Sequence, residues 1–168
     1  MKGGKIAGKG GTRGDLTARK GAIISSGYNG SFGTLIFGNM DLDSSTILNF
    51  KLGSPNIVGN SQNDLVQVNG NLILAGKLNI DTASGFGDGV YPLFNYGGAL
   101  TNDGLDILSV PNGYDASKLY VQAGVIPGQI SLLVSEEDEL YKPSSSLTPD
   151  PETPTLEVPG SIFSKFQF

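Results

Sequence analysis

The stretch QVNGNLILAGKLNI (Gln67–Ile80) alternates like a β-strand, with Val68, Leu72, Leu74, Leu78 and Ile80 at its apolar positions. Apolar residues at a period of two mark a strand with one buried face. Gly70 and Gly76 nevertheless interrupt it, with Asn69, Asn71, Ala75 and Lys77 beside them. A strand that starts, breaks after a few residues and starts again needs an architecture that turns the chain at each break. A parallel β-helix does this. Each coil is three short strands, and Gly, Asn or Asp at the corners lets the chain bend through positive φ. Leu72 and Leu74 then lie in one layer of a stacked core, and Leu78 and Ile80 lie on the next face.

The rest of the chain repeats the pattern. Its 168 residues, enough for one domain with a real core, include 25 glycines and no tryptophan. Most apolar runs are a handful of residues long and end in Gly, Asn, Asp or Pro, as in GAIISSG (21–27), GTLIFGNMDL (33–42), DLVQVNG (64–70) and QISLLVS (129–135). The expected fold is all-β, a right-handed parallel β-helix over residues 21–135. At roughly twenty residues per coil it has about five or six coils. An antiparallel β-sandwich is the alternative, with VNGN (Val68–Asn71) and NYGG (Asn95–Gly98) as hairpin turns.

Charge divides the chain. Lys2, Lys5, Lys9, Arg13, Arg19 and Lys20 stand in the first twenty residues against Asp15 alone, while the whole chain carries a net −5. Residues 1–20 read as a flexible, Gly-rich basic arm. The arm has no aromatic residue before Tyr28, so it is not read as a nucleic-acid interface. It also lacks an apolar stretch behind its charges and is not read as a signal peptide. No apolar run reaches membrane-spanning length. After the body, residues 136–160 form an acidic, then Pro-rich, extended linker, and residues 161–168 a closing strand.

The segment Ser44–Ser135 also resembles the C-terminal repeats of bacterial autotransporter passengers and related β-helical surface proteins. The residues that carry the resemblance are DLVQVNGNLILAGKLNI, then GFGDGVYPLFNYGG, a Gly-Leu step, VPNGY and PGQISLLV, in that order. The resemblance implies a right-handed parallel β-helix, secretion across the outer membrane and a structural or adhesive role. In that family such a region forms the last coils, which cap the stack and help it fold. The family continues into a helix and a translocating barrel, whereas here a short tail follows. A fragment, or a separate protein built on the same solenoid, is therefore expected.

Residues suited to catalysis are sparse. Without Cys or His there is no disulfide, no Cys/His zinc site and no Cys or His nucleophile–base pair. GGKIAGKG (Gly3–Gly10) falls short of a phosphate-binding loop, because Gly10 stands where Ser or Thr would bind magnesium. Arg13-Gly14-Asp15 is a tripeptide that some integrins read. Asp41, Asp43, Asp103 and Asp106 are the carboxylates weighed for glycoside cleavage. Lys51, Lys77 and Lys118 are the cations available to an acidic sugar, and Tyr91, Tyr96, Tyr114 and Tyr120 the aromatics available for stacking. No catalytic, cofactor or metal site is expected.

SIFSKFQF (Ser161–Phe168) ends the polar tail with an apolar strand pattern. Ile162, Phe166 and Phe168 fall on one face and Phe163 on the other, an apolar exposure that soluble chains usually avoid. These four residues are the expected partner-docking site, adding a strand to a neighbouring subunit. The sequence thus reads as a non-enzymatic structural or adhesive component of an extracellular or cell-surface bacterial assembly, forming homo-oligomers or larger arrays. A carbohydrate-binding or cleaving β-helix, such as a phage fibre module with a glycan as partner, is the alternative.

Overall fold

The computed structural model of the chain describes residues 1–11, 13–59 and 61–135. Thirteen strands are present among them and no α-helix: β1 (Lys5–Gly8), β2 (Gly10–Gly11), β3 (Leu16–Ala18), β4 (Ile23–Ser26), β5 (Thr34–Phe37), β6 (Met40–Leu42), β7 (Ile47–Leu52), β8 (Leu65–Val68), β9 (Leu72–Thr82), β10 (Gly89–Tyr96), β11 (Leu100–Ser109), β12 (Leu119–Ala123) and β13 (Gln129–Val134). They stack in parallel columns. One column runs β1, β4, β7 and the second half of β9. Another runs β2, β5, β8 and β10. The third runs β3, β6 and the first half of β9, and β11 pairs with β9 from Leu72 to Asn79. This is a β-solenoid of about four turns.

Gly76 shows how the opening stretch works. It sits inside β9 at φ 120°, where β9 leaves the column of β6 and joins that of β7. A Cβ there would come within 2.6 Å of the Thr46 carbonyl oxygen, so both conformation and space call for glycine. Leu72, Leu74, Leu78 and Ile80 are all buried, with Leu72 in register with Met40 and Leu100, Leu78 with Leu48 and Ile107, and Ile80 with Phe50. Ile24, Leu48, Phe50, Val66, Val68 and Leu93 fill the same core. Phe50 and Phe94 meet across it with ring centroids 5.5 Å apart. At roughly 1.5–3 kcal/mol for each large apolar side chain removed from water, this column is the main stabilising element.

Two polar ladders bind successive turns from outside the core. Asn49 Nδ2 donates to Ser25 Oγ (3.0 Å), Asn79 Nδ2 to Asn49 Oδ1 (2.9 Å) and Ser109 Oγ to Asn79 Oδ1 (3.0 Å). At a corner, the amides of Gly38, Gly70 and Gly98 donate to the carbonyls of Gly14, Gly38 and Gly70, each at 2.8 Å. Beside them the Asn39 amide donates to Asp15, the Asn71 amide to Asn39 Oδ1 and the Ala99 amide to Asn71 Oδ1.

The solenoid differs from expectation in three ways. Residues 1–20 are no arm apart from the body: β1, β2 and β3 form its first turn, with Leu16 and Ala18 in the core. The turns number about four, not five or six, because a turn takes 24 to 32 residues. The chain wanders between β7 and β8, over residues 53–64, before it resumes the stack. The sandwich alternative fails because the columns are parallel; among the described residues antiparallel pairing is confined to β13 with β10 and β12 and to two isolated bridges. There the hairpin β12–β13 ends the second column. No helix among the described residues is long and apolar enough to cross a membrane.

Candidate functional site

The most elaborated surface lies where the turn between β4 and β5 leans over the outer face of β4 and β7. Three residues of this turn adopt positive φ: Gly27 (99°), Asn29 (50°) and Gly30 (78°). The reversal is closed by the Ser31 amide donating to the Tyr28 carbonyl at 3.1 Å. Lys51 Nζ donates to the Gly30 carbonyl at 2.8 Å, tying the turn to β7, and its ammonium lies 5.6 Å from the centre of the Phe32 ring. The turn is thereby held in place, and it presents Tyr28 to solvent at 66 % exposure.

Asp64 anchors this arrangement from below. Its two carboxylate oxygens accept the Gly33 amide and the Lys51 amide, each at 2.8 Å. One residue thus joins the end of the turn to β7, and it is only 2 % exposed. Burial pushes its carboxyl up to about 6, against the opposing pull of the Lys51 and Gly33 amides. Its neighbour Asn63 does similar work inside the excursion, accepting from the Gly53 amide and donating to the Ser54 and Ile57 carbonyls. Every buried side-chain nitrogen and oxygen among the described residues has a partner.

Between turn and sheet lies a cleft of about 230 Å³, lined among others by Lys5, Ser25, Tyr28, Asn49, Lys51, Asp64 and Asp81. Lys51 and Asp81 face each other in register on β7 and β9. The cleft offers hydrogen-bond donors and acceptors of both charges beside an exposed aromatic ring.

Against known proteins, no protein-family model matches the chain. Over 112 residues, 66% of the chain, it is 42% identical to the adhesin BmaC autotransporter of Brucella suis biovar 1 (strain 1330). The chain is thus similar to a short part of an autotransporter adhesin. It spans only 3% of the length of that adhesin. The stacked parallel coils agree with the resemblance read from Ser44–Ser135.

Of the carboxylates weighed for cleavage, Asp41 and Asp43 are engaged within the fold. Asp41, Asp43 and Asp103 do line one open hollow of about 480 Å³, together with Arg19. Yet Asp41 is held by Arg19 at 2.5 Å. Asp43 accepts from the hydroxyls of Ser45 and Thr46 and from the Lys20 amide, and the Ser45 hydroxyl is the main reason its carboxyl lies below the usual range. Asp106 stands one rung away, opposite Lys77. No group of three or more acidic residues suited to a metal ion occurs among the described residues.

Other candidate positions sort by packing. Tyr91 is fully buried, its hydroxyl exchanging hydrogen bonds with Gly87, so it is no surface stacker. Tyr114 sits edge-on to Phe86 and donates to the Phe86 carbonyl, and Tyr96 is partly buried against the core. Tyr120 remains exposed. In Arg13-Gly14-Asp15 the carboxylate already accepts the backbone and side-chain amides of Asn39, which hold it below the usual range. The tripeptide is the first rung of the corner ladder. Gly10, the odd residue of GGKIAGKG, pairs with Leu35 as part of β2. Lys118 closes a short 3-10 turn at Ala116–Lys118. Ile162, Phe163, Phe166 and Phe168 lie outside the described residues. Sequence reasoning missed Tyr28 and Asp64. The only local signal was the cluster Gly27-Tyr28-Asn29-Gly30, a turn carrying an aromatic residue.

Proposed function

We propose that the chain is a non-enzymatic structural and adhesive part of a bacterial surface assembly, displayed outside the cell. The observation that carries this reading is the 42% identity to an autotransporter adhesin across 112 residues. A rigid stack whose turns are tied by core, backbone and side-chain ladders suits a displayed support. Cleavage draws little support from Asp41 and Asp43, which are already engaged with Arg19 and Ser45.

In this reading Ile162, Phe163, Phe166 and Phe168 dock on a neighbouring subunit by strand addition and link copies into the assembly. The purified chain, coupled to beads, is expected to attach them to host cells or extracellular matrix above the level of a coil-free control protein. Equal attachment of the control would overturn adhesion. Removing residues 161–168 is expected to leave the melting temperature unchanged and to abolish assembly in light scattering. Assembly that persists in the truncated chain, or a parent that stays monomeric at every concentration, would remove the docking strand.

A further inference from the structure

We propose that the cleft beneath the Tyr28 turn is a carbohydrate subsite that takes one neutral sugar residue of a glycan. The proposal deepens the adhesive reading and rests on it. Four observations support it.

The cleft is small. Its volume of about 230 Å³ is below the ~300–1,000 Å³ usual for drug-sized ligands, so it suits a single ring. Its charge balances: Lys5 and Lys51 stand against Asp64 and Asp81. A uronic or sialic carboxylate would meet as much repulsion as attraction there. A neutral hexose or N-acetylhexosamine would instead find acceptors for its hydroxyls at Asp81 and donors at the lysines. Asn49 adds directionality. Its amide nitrogen gives one hydrogen to Ser25 and keeps a second, and the ladder through Asn79 fixes which way the amide points.

The third observation is Tyr28. Its ring has no hydrogen-bond or ring partner among the described residues and is 66 % exposed, on a turn otherwise fastened at several points. An exposed aromatic face next to hydroxyl-binding groups matches a sugar ring, which has an apolar C–H face and a polar rim. The fourth is preorganisation. Asp64 and Lys51 set the height of the turn over β7 before any ligand arrives, which lowers the entropy lost on binding. Asp64 is here a positioning residue, while Tyr28, Asn49, Asp81 and the two lysines make the contacts.

The test uses the full chain and saturation-transfer NMR. The probes are methyl glycosides of glucose, galactose, N-acetylglucosamine and N-acetylgalactosamine, with a methyl glucuronide and a methyl sialoside for comparison. At least one neutral glycoside is expected to bind, and its affinity to drop at least tenfold in Tyr28→Ala and in Asp81→Asn. Both sites are on the surface, so their melting temperatures should match the parent. Tyr120→Ala, exposed elsewhere, is expected to bind like the parent. Binding of the acidic sugars alone, binding of none, or a Tyr28→Ala variant as good as the parent would each overturn the proposal. Bead attachment run in parallel separates the two levels. A parent that attaches to cells but ignores every sugar sinks the subsite and leaves adhesion standing. A parent that does not attach sinks adhesion whatever the NMR shows.

Discussion

The corner at Gly70 and the excursion over residues 53–64 both interrupt a coil, and they satisfy the backbone in opposite ways. At the corner the solution repeats. Gly14, Gly38, Gly70 and Gly98 stack by backbone hydrogen bonds, and Asp15, Asn39 and Asn71 each accept an amide from the turn above. In the excursion nothing repeats. Asn63 and Asp64 turn inward, and between them they satisfy the amides of Gly53, Gly33 and Lys51. A repeated device spreads its load over many equivalent bonds at the surface. A singular device concentrates it in two buried side chains. The corner should therefore tolerate single substitutions that the excursion does not.

Both regions depend on the same apolar stack, and breaking that stack sets the scale. Leu74→Asp places a charge without a partner at a fully buried position, next to Leu72 and Leu78. The cost of burying an unpaired carboxylate exceeds the stability of most domains. The variant is expected to lose cooperative thermal unfolding and its β-type circular dichroism. A Leu74→Asp protein that melts like the parent would mean that the core is placed wrongly.

The excursion comes next. Asp64→Ala leaves the Gly33 and Lys51 amides without an acceptor, at about 1–3 kcal/mol for each one that stays buried. The expected loss is therefore about 2–6 kcal/mol in denaturant unfolding. Asp64→Asn keeps one acceptor oxygen and should lose less. The corner is expected to give the smaller number. In Asn71→Ala the Ala99 amide loses its acceptor but remains at the surface, where water replaces it. A loss of about 0.5–1 kcal/mol is expected. If Asn71→Ala costs as much as Asp64→Ala, the contrast between shared and concentrated loads is wrong.

The same contrast explains what could be read from the sequence. Leu72, Leu74, Leu78 and Ile80 announced themselves because alternation and burial coincide in a strand. The corner motif was also present, as Gly14-Asp15-Leu16, Gly38-Asn39-Met40 and Gly70-Asn71-Leu72, but unequal spacings of 24 and 32 residues hid it. The first turn reads as an arm in the sequence because glycine and lysine suggest a solvated chain. In a solenoid's end strands only alternate residues need be apolar, and Leu16 and Ala18 suffice. Tyr91 is buried, not at the surface, because a tyrosine can go inside once its hydroxyl finds a partner, here Gly87. The cleft was not legible at all. Tyr28, Asn49, Asp64 and Asp81 belong to three different turns of the stack and meet only because parallel register sets those turns one above another.

The subtlest expected effect is a pH dependence in which the two regions pull in opposite directions. Asp64 carries a folded pKa raised to about 6 from an ordinary value of 3.8, with burial as the main cause. Between those values the folded chain holds a proton on Asp64 that the unfolded chain has released. Stability from this group is therefore fully present below about pH 3.8 and is lost as pH rises through about 6. Asp15, at the foot of the corner ladder, is lowered chiefly by the Asn39 backbone amide. Its contribution is present above its unfolded value and is lost as pH falls through its folded one. On acidification from pH 7, the excursion should gain first, and the corner should lose only later, in stronger acid. The melting temperature is thus expected to rise by a few degrees between about pH 7 and pH 4.5 and to fall below about pH 4. General charge neutralisation also helps in the first interval, since the chain is acidic with a pI near 4.5. The variants separate the two causes. Asp64→Asn should keep only the part due to net charge and show a visibly shallower rise, whereas Asp15→Asn should keep the whole rise and soften the fall in acid. Superimposable pH profiles for the parent and Asp64→Asn would show that the buried carboxylate is not protonated in this range. The amides of Lys51 and Gly33 would then outweigh its burial.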